Sequence, residues 1–158
     1  MNNELKQQYK LRITSANKTE LVVILYEMYL QYAGEAKEAL ETENKSAFKD
    51  ALSHARGCVK ELMSSLNFDY KPAEELKQLY LYVNKELVEA DLHKKTEPLD
   101  NTIKVMKGLW EAYKEISSQD TSPAVMTNSQ SIYAGLTYGK SDLVENLDQV
   151  GENRGFLI

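Results

Sequence analysis

The chain has 158 residues, 42% hydrophobic and 27% charged, the composition of a single globular domain rather than of a disordered, collagenous or membrane-embedded protein. With 19 basic against 24 acidic side chains the net charge is −5, so composition supplies no broad basic surface and nucleic acid is excluded as an expected partner. Cys58, the single cysteine, rules out an internal disulfide and any multi-cysteine metal site, and is read as a small buried apolar residue in a reducing compartment.

Residues 1–16 read as a short amphipathic helical arm whose sizeable apolar groups, besides Met1, are Leu5, Tyr9, Leu11 and Ile13. The stretch Met1 to Arg12 is too polar to hold the apolar core of a signal peptide, so a cytoplasmic location is expected. Seven glycines and three prolines punctuate the rest sparsely, separating four long stretches of helical period.

The first long helix is predicted over about Lys18 to Thr42, with Asn17 as N-cap and Glu20 placed to complete a capping box. Its apolar run from Leu21 to Leu30 is broken by Glu27 and is shorter than the ~20 residues that cross a bilayer, so no membrane insertion is expected. The second helix, about Lys45 to Leu66, places Phe48, Leu52, Ala55, Val59, Leu62 and Leu66 on one seam. A third begins at Pro72, favoured at the first helical position, and reaches His93 through Leu76, Tyr80, Val83, Leu87 and Ala90. The fourth, from about Thr96 to Ser118, aligns Leu99, Ile103, Met106, Trp110 and Tyr113. Short connections favour antiparallel neighbours, so the expected fold is all-α, an antiparallel up-down four-helix bundle over residues 17–118. Residues 119–158 are rich in Ser, Asn, Asp and Gly and are expected to form a mostly irregular tail, although Ile132, Tyr133, Leu136, Tyr138, Leu143, Val144, Leu147 and the closing Phe156, Leu157 and Ile158 make it too apolar for an inert linker.

Signals for covalent chemistry are missing. A di-iron bundle needs Glu-x-x-His on two helices, but positions 51 and 90, three before His54 and His93, are both alanine. The segment Ala134 to Ser141 resembles a phosphate-binding loop without its first glycine and without a preceding strand. No nucleophile-elbow or zinc-protease motif is present, so no enzyme activity, metal or cofactor is expected.

The informative feature is the first long helix, which bears two apolar stripes. Leu21, Leu25, Met28, Tyr32 and Ala39 form one; Val22, Tyr26, Tyr29, Ala33, Ala36 and Leu40 form the other. One stripe would be covered by bundle neighbours, whereas two require extra cover. Two outcomes follow: a central helix enclosed within the bundle, or a groove on the second stripe for an amphipathic helix of another protein or for the arm or tail of this one. Ten tyrosines against three phenylalanines suit rings that tolerate both burial and exposure. On the groove reading, Tyr26→Asp and Tyr29→Asp should weaken partner binding more than they destabilise the bundle.

These residues resemble the flagellin-specific export chaperone family, FliS. The match runs through Tyr9, Ile13, Asn17-Lys18-Thr19-Glu20-Leu21, Leu25-Tyr26-Glu27-Met28, Ala36 and Ala39, then Leu79-Tyr80-Leu81-Tyr82, Leu87-Val88-Glu89-Ala90-Asp91 and Trp110, covering roughly residues 9–117. Lys18 stands where the family has a capping proline, and Met28 where it has a glycine. The resemblance implies a helical-bundle chaperone that binds the C-terminal segment of flagellin as helices, prevents premature polymerisation and delivers it to an export gate protein at the membrane. It also implies that the arm can lie over part of the groove, giving Tyr9 and Ile13 a gating role. The expected partner-binding set is Tyr9, Ile13, Val22, Tyr26, Tyr29, Ala33, Leu79 and Tyr82. The alternative is a self-associating assembly or regulatory protein whose own tail fills the groove, as a monomer or a tail-mediated homodimer.

Overall fold

The structure, a computed structural model, describes residues 1–126, of which Met1–Val125 form one compact unit. The expectations for an irregular tail and a tail-mediated dimer fall mainly on residues 127–158, outside the described part. Five helices follow one another: α1 Asn3–Ser15, α2 Lys18–Glu41, α3 Lys45–Ser64, α4 Pro72–His93 and α5 Glu97–Gln119. Among the described residues there are no strands.

Three of the five starts are fixed by asparagine. The side chains of Asn2, Asn17 and Asn44 accept hydrogen bonds from the backbone N–H groups of Leu5, Glu20 and Ala47, satisfying donors that a helix start leaves open. At α2 the capping box is complete, because Glu20 Oε2 also accepts from the Asn17 N–H at 2.8 Å. Pro72 sits in the first turn of α4, where its missing N–H costs no intrahelical bond.

The end of α2 is a Schellman motif: Asn44 N–H donates to Ala39 O at 2.8 Å and Glu43 N–H to Leu40 O at 3.2 Å. This geometry puts Glu43 at a φ of 55°, a left-handed position that glycine normally fills. Helix α3 stops at Ser64, two residues short of the predicted Leu66, where the Ser65 hydroxyl donates to Leu62 O at 2.8 Å and takes up one of the carbonyls the helix end leaves open. Lys94 closes α4, likewise left-handed at φ 52°.

Helix α2 packs on α3 and α5, and α4 packs on the same two, so these four surround one core. Its largest sealed side chains are Tyr26, Tyr29, Tyr80, Phe48, Leu62, Leu87, Leu99 and Met106. Partners along α2 and α5 run in opposite order: Thr19 meets Asp120, Glu27 meets Trp110 and Lys37 meets Asp100. On α3 and α4, Met63 meets Asn84 and Arg56 meets Asp91. This packing is consistent with the up-down bundle expected from the short connections. Cys58 is buried within it, and desolvation pushes its thiol up to about 12, which leaves it inert as a nucleophile. No helix of the described residues is long and apolar enough to cross a membrane.

Glu43→Gly is expected to raise stability by about 0.5–1 kcal/mol, because glycine takes the left-handed position without Cβ strain. Lys94→Gly should gain less or lose, since the Lys94 ammonium bonds Asp91 at 2.7 Å and lies 4.8 Å from the centre of the Phe48 ring. Urea denaturation of the two variants beside the parent checks the difference.

Candidate functional site

The second apolar stripe of α2, together with Leu25, Tyr32 and Ala39 of the first, packs in the main core, and Leu21 and Met28 of the first meet the arm. The stripe holding Tyr26, Tyr29, Ala33 and Ala36 faces inward, and none of these four has any exposure to solvent. Alanines at 33, 36 and 39 let α3 approach closely, and the tyrosine rings fill the space toward α4 and α5. The Tyr26 ring lies 5.6 Å from that of Tyr113 on α5, and its hydroxyl shares a 2.5 Å hydrogen bond with the hydroxyl of Tyr80 on α4. Burial raises the Tyr26 hydroxyl far above the ordinary phenol range and pushes Tyr80 up to about 12, so both stay neutral. The Tyr29 hydroxyl, also raised by burial, is sealed beside the Thr102 side chain on α5, which counters part of that rise, without a hydrogen bond of full geometry.

This placement corrects the expected partner-binding set. Tyr26, Tyr29 and Ala33 are core residues in this structure and present no surface to a guest. Their stripe and its neighbour look alike in a linear sequence, and only the facing helices decide which turns inward. Val22, at the start of the same stripe, is half-buried at the end of the bundle.

The outer side of α2 is where the extra cover is found. Leu21, Ile24 and Met28 meet Met1, Leu5, Tyr9, Ile13 and Ala16 of the arm, forming a second, smaller apolar cluster. Tyr9 is 8% exposed and Ile13 half-buried, so the two arm residues expected to gate a groove are those that lie against α2. Met28, the departure from the family glycine, touches both clusters and fills the space between arm and bundle. Ile24, 2% exposed and facing the arm, belongs to neither stripe identified from the sequence.

Polar contacts tie the arm down along its length. Arg12 grips the Glu27 carboxylate with both terminal nitrogens, at 2.5 and 3.3 Å, and stacks over the Tyr9 ring at 5.6 Å. Glu27 Oε1 also accepts from the indole N–H of Trp110 at 3.3 Å, so one carboxylate joins α1, α2 and α5. The Met1 amino group pairs with Glu35 near the other end of the arm. None of these long-range polar links follows from helical period, and the sequence reading missed them.

Leu79 and Tyr82 lie apart from the arm. They are 36% and 40% exposed and line an open groove between α4 and α5 with Asn101, Lys104, Val105, Gly108 and Leu109, about 580 Å³ in volume. Space beside Gly108 is open, with nothing within 4 Å of where a Cβ would lie. A second cleft of about 340 Å³ opens at the end of the bundle, where Val22, Leu66, Leu76 and Tyr113 form apolar walls and Lys18 stands at the side. The eight expected residues therefore divide between the core (Tyr26, Tyr29, Ala33), the arm (Tyr9, Ile13), the cleft at the bundle end (Val22) and the α4–α5 groove (Leu79, Tyr82). Among the described residues, no group of His, Cys, Asp or Glu is arranged to hold a metal ion. His54 stacks on Tyr32 with ring centres 4.7 Å apart, and His93 pairs with Glu89 one turn earlier.

A comparison with protein families matches residues 1–120 to the flagellar protein FliS family. The chain belongs to that family. A comparison with curated proteins gives no match. FliS membership implies a flagellar export chaperone acting in flagellum assembly, in a family of chaperones rather than enzymes. The matched span takes in α1 as well as the four core helices, so the arm is part of the family domain and not an appendage to it.

Tyr26→Asp and Tyr29→Asp are expected to abolish the cooperative thermal transition, since each places a carboxylate in a sealed core. Milder changes separate the two rings. Tyr26→Phe should cost about 1–3 kcal/mol because it orphans the Tyr80 hydroxyl, and adding Tyr80→Phe should recover much of that loss. Tyr29→Phe removes a hydroxyl that makes only a weak contact with Thr102 and should cost less than Tyr26→Phe. Chemical denaturation monitored by circular dichroism checks all of these.

Proposed function

We propose that this FliS-family chain is a cytosolic chaperone that binds the C-terminal helical segment of flagellin, keeps it from polymerising prematurely and delivers it to an export gate protein of the flagellar type III apparatus. The observation that carries this reading is the seating of the amphipathic α1 on the outer side of α2. That side holds a short helix of the same chain through a few apolar side chains and two partly buried ion pairs, Arg12 with Glu27 and the Met1 amino group with Glu35. Helix-in-groove recognition uses anchors at helical spacing, and Leu21, Ile24 and Met28 offer three apolar contacts at such spacing on one side of α2.

A flagellin helix that displaces α1 would find Leu21, Ile24 and Met28 uncovered, while Tyr9 and Ile13 act as the gate. The exposed α4–α5 groove, with Leu79 and Tyr82, extends the surface to a second stretch of the guest. Tyr26, Tyr29 and Ala33 support both from beneath by fixing α2 against α3, α4 and α5. Flagellin's segment would order as it binds, and the ordering cost keeps such complexes reversible enough for handover at export. No covalent step is needed.

Calorimetric titration with a peptide from the flagellin C-terminus, followed by circular dichroism, is expected to give binding heat and a gain of peptide helicity. Absence of both would overturn the reading. Leu79→Asp and Tyr82→Asp should each weaken binding by about tenfold, equivalent to ~1.4 kcal/mol, while leaving the melting temperature nearly unchanged because both side chains are exposed. Unaltered affinity in both variants would remove the α4–α5 groove from the binding surface.

A further inference from the structure

The link between α1 and α2 is only two residues long, and it is not a free hinge. Connections usually run over the surface, yet Ala16 and Asn17 are 2% and 4% exposed. Residues after α5 fold back onto them. Val125 N–H donates to Ala16 O at 3.0 Å, and the Asn17 side-chain amide donates to Asp120 O at 3.2 Å and reaches Ser122 O at 3.5 Å. The Thr19 hydroxyl donates to Asp120 Oδ2 at 2.5 Å, while Asp120 Oδ1 accepts from the backbone N–H and the hydroxyl of Ser122. Asn17 thus works in two directions at once: its Oδ1 caps α2 and its Nδ2 holds the returning chain.

We propose that Asp120–Val125 is an autoinhibitory clasp that locks the arm's junction and so sets how readily α1 leaves α2. For the arm to swing away, the backbone at Ala16 and Asn17 must change its dihedral angles, and a junction buried and bonded to three residues of another segment resists that change. The side-chain pairs farther along the arm, Arg12 with Glu27 above all, are more exposed and hold only its body. The clasp lies just before residue 127, where the chain continues into its last 32 residues. Any pull or new contact on that continuation acts first on Val125. Access to the outer side of α2 is thereby linked to the part of the chain that follows the bundle. The consequence for affinity rests on the proposed flagellin-binding role of that side; the control of arm opening does not.

Two full-length variants test the clasp from different directions. Val125→Pro deletes the N–H bonded to Ala16 and lies beyond α5, outside the five helices of the described residues, so the bundle is left intact. Thr19→Val combined with Asp120→Ala removes the side-chain half. Amide hydrogen exchange read by mass spectrometry should be at least fivefold faster across residues 3–15 in both variants, with α3 and α4 unchanged. Lys37→Ala, which breaks an exposed α2–α5 pair at the opposite end, is the control and should leave arm exchange as in the parent. Unchanged arm exchange in both clasp variants, or equal acceleration in the control, overturns the proposal. Titration of the same variants with the flagellin C-terminal peptide separates the two ideas. Faster arm exchange with at least threefold tighter binding supports clasp and flagellin site together. Faster arm exchange with unchanged affinity supports the clasp and removes the arm-covered side of α2 from the flagellin site.

Discussion

The structure depends on one constraint: α2 has more apolar surface than a helix with one buried side, and all of it must be taken from water. Burial at about 25 cal/mol per Å² makes an uncovered stripe of this length costly, so the fold is arranged to cover both. Helices α3, α4 and α5 enclose the tyrosine and alanine side, and α1 closes the side of Leu21, Ile24 and Met28. The two covers differ in kind. The first is a close-packed core with a buried Tyr–Tyr hydrogen bond, and opening it would leave hydroxyls unpaired. The second is a thin layer of apolar contacts rimmed by partly exposed charges, which water can replace at little cost. A protein that must receive an amphipathic helix needs this asymmetry, a permanent scaffold on one side of a helix and a replaceable cover on the other.

Polar residues at the ends of α1 turn that cover into a device with a defined closed position. Glu27, on α2, is reached from α1 and α5, so arm, central helix and α5 share one carboxylate whose environment changes if any of them moves. Asn17 plays the corresponding part at the junction, where helix capping and the grip on the returning chain use the two halves of one amide. A glutamine at 17 would set the amide one methylene farther out and an aspartate would lack the N–H donors, so neither could fill both roles with the same geometry.

Much of this architecture was legible in the sequence, for identifiable reasons. Asn17 with Glu20 gave the start of α2 to the residue, Pro72 gave the start of α4, the seam of α4 is buried as read and that of α3 is buried as far as Leu62, while on α5 Leu99 and Met106 are buried and Ile103, Trp110 and Tyr113 half-buried. Those features are local, and local chemistry survives folding. Which of two stripes on α2 turns inward was not legible, because Tyr26 and Tyr29 read equally well as core and as binding surface. One signal was available: alanines at 33 and 36 on that side mark a close helix-helix approach, which a groove for a bulky guest would not require. Ile24 was missed because it lies beyond the first stripe, on the side away from the second, and is recruited only by the arm. The links from Arg12 to Glu27, Glu27 to Trp110 and Asn17 to Asp120 span 15, 83 and 103 positions, and no periodicity points to them.

The departures from the family pattern become intelligible on the same physical grounds. A glycine in place of Met28 would leave a gap between the arm and the bundle; here the flexible thioether fills it and packs on both sides. The exchange of arm for guest must then include a rearrangement of Met28, an unbranched side chain that adapts to a different helix at small rotamer cost. Lys18 in place of proline leaves the start of α2 unharmed because Asn17 and Glu20 satisfy the open backbone groups, and it puts an exposed ammonium beside the cleft at the bundle end. Met28 and Lys18 both sit where the arm and junction meet the bundle, outside the interior of tyrosines and alanines. Variation of that kind changes how the outer surface fits its occupant without altering the scaffold that holds α2 in place.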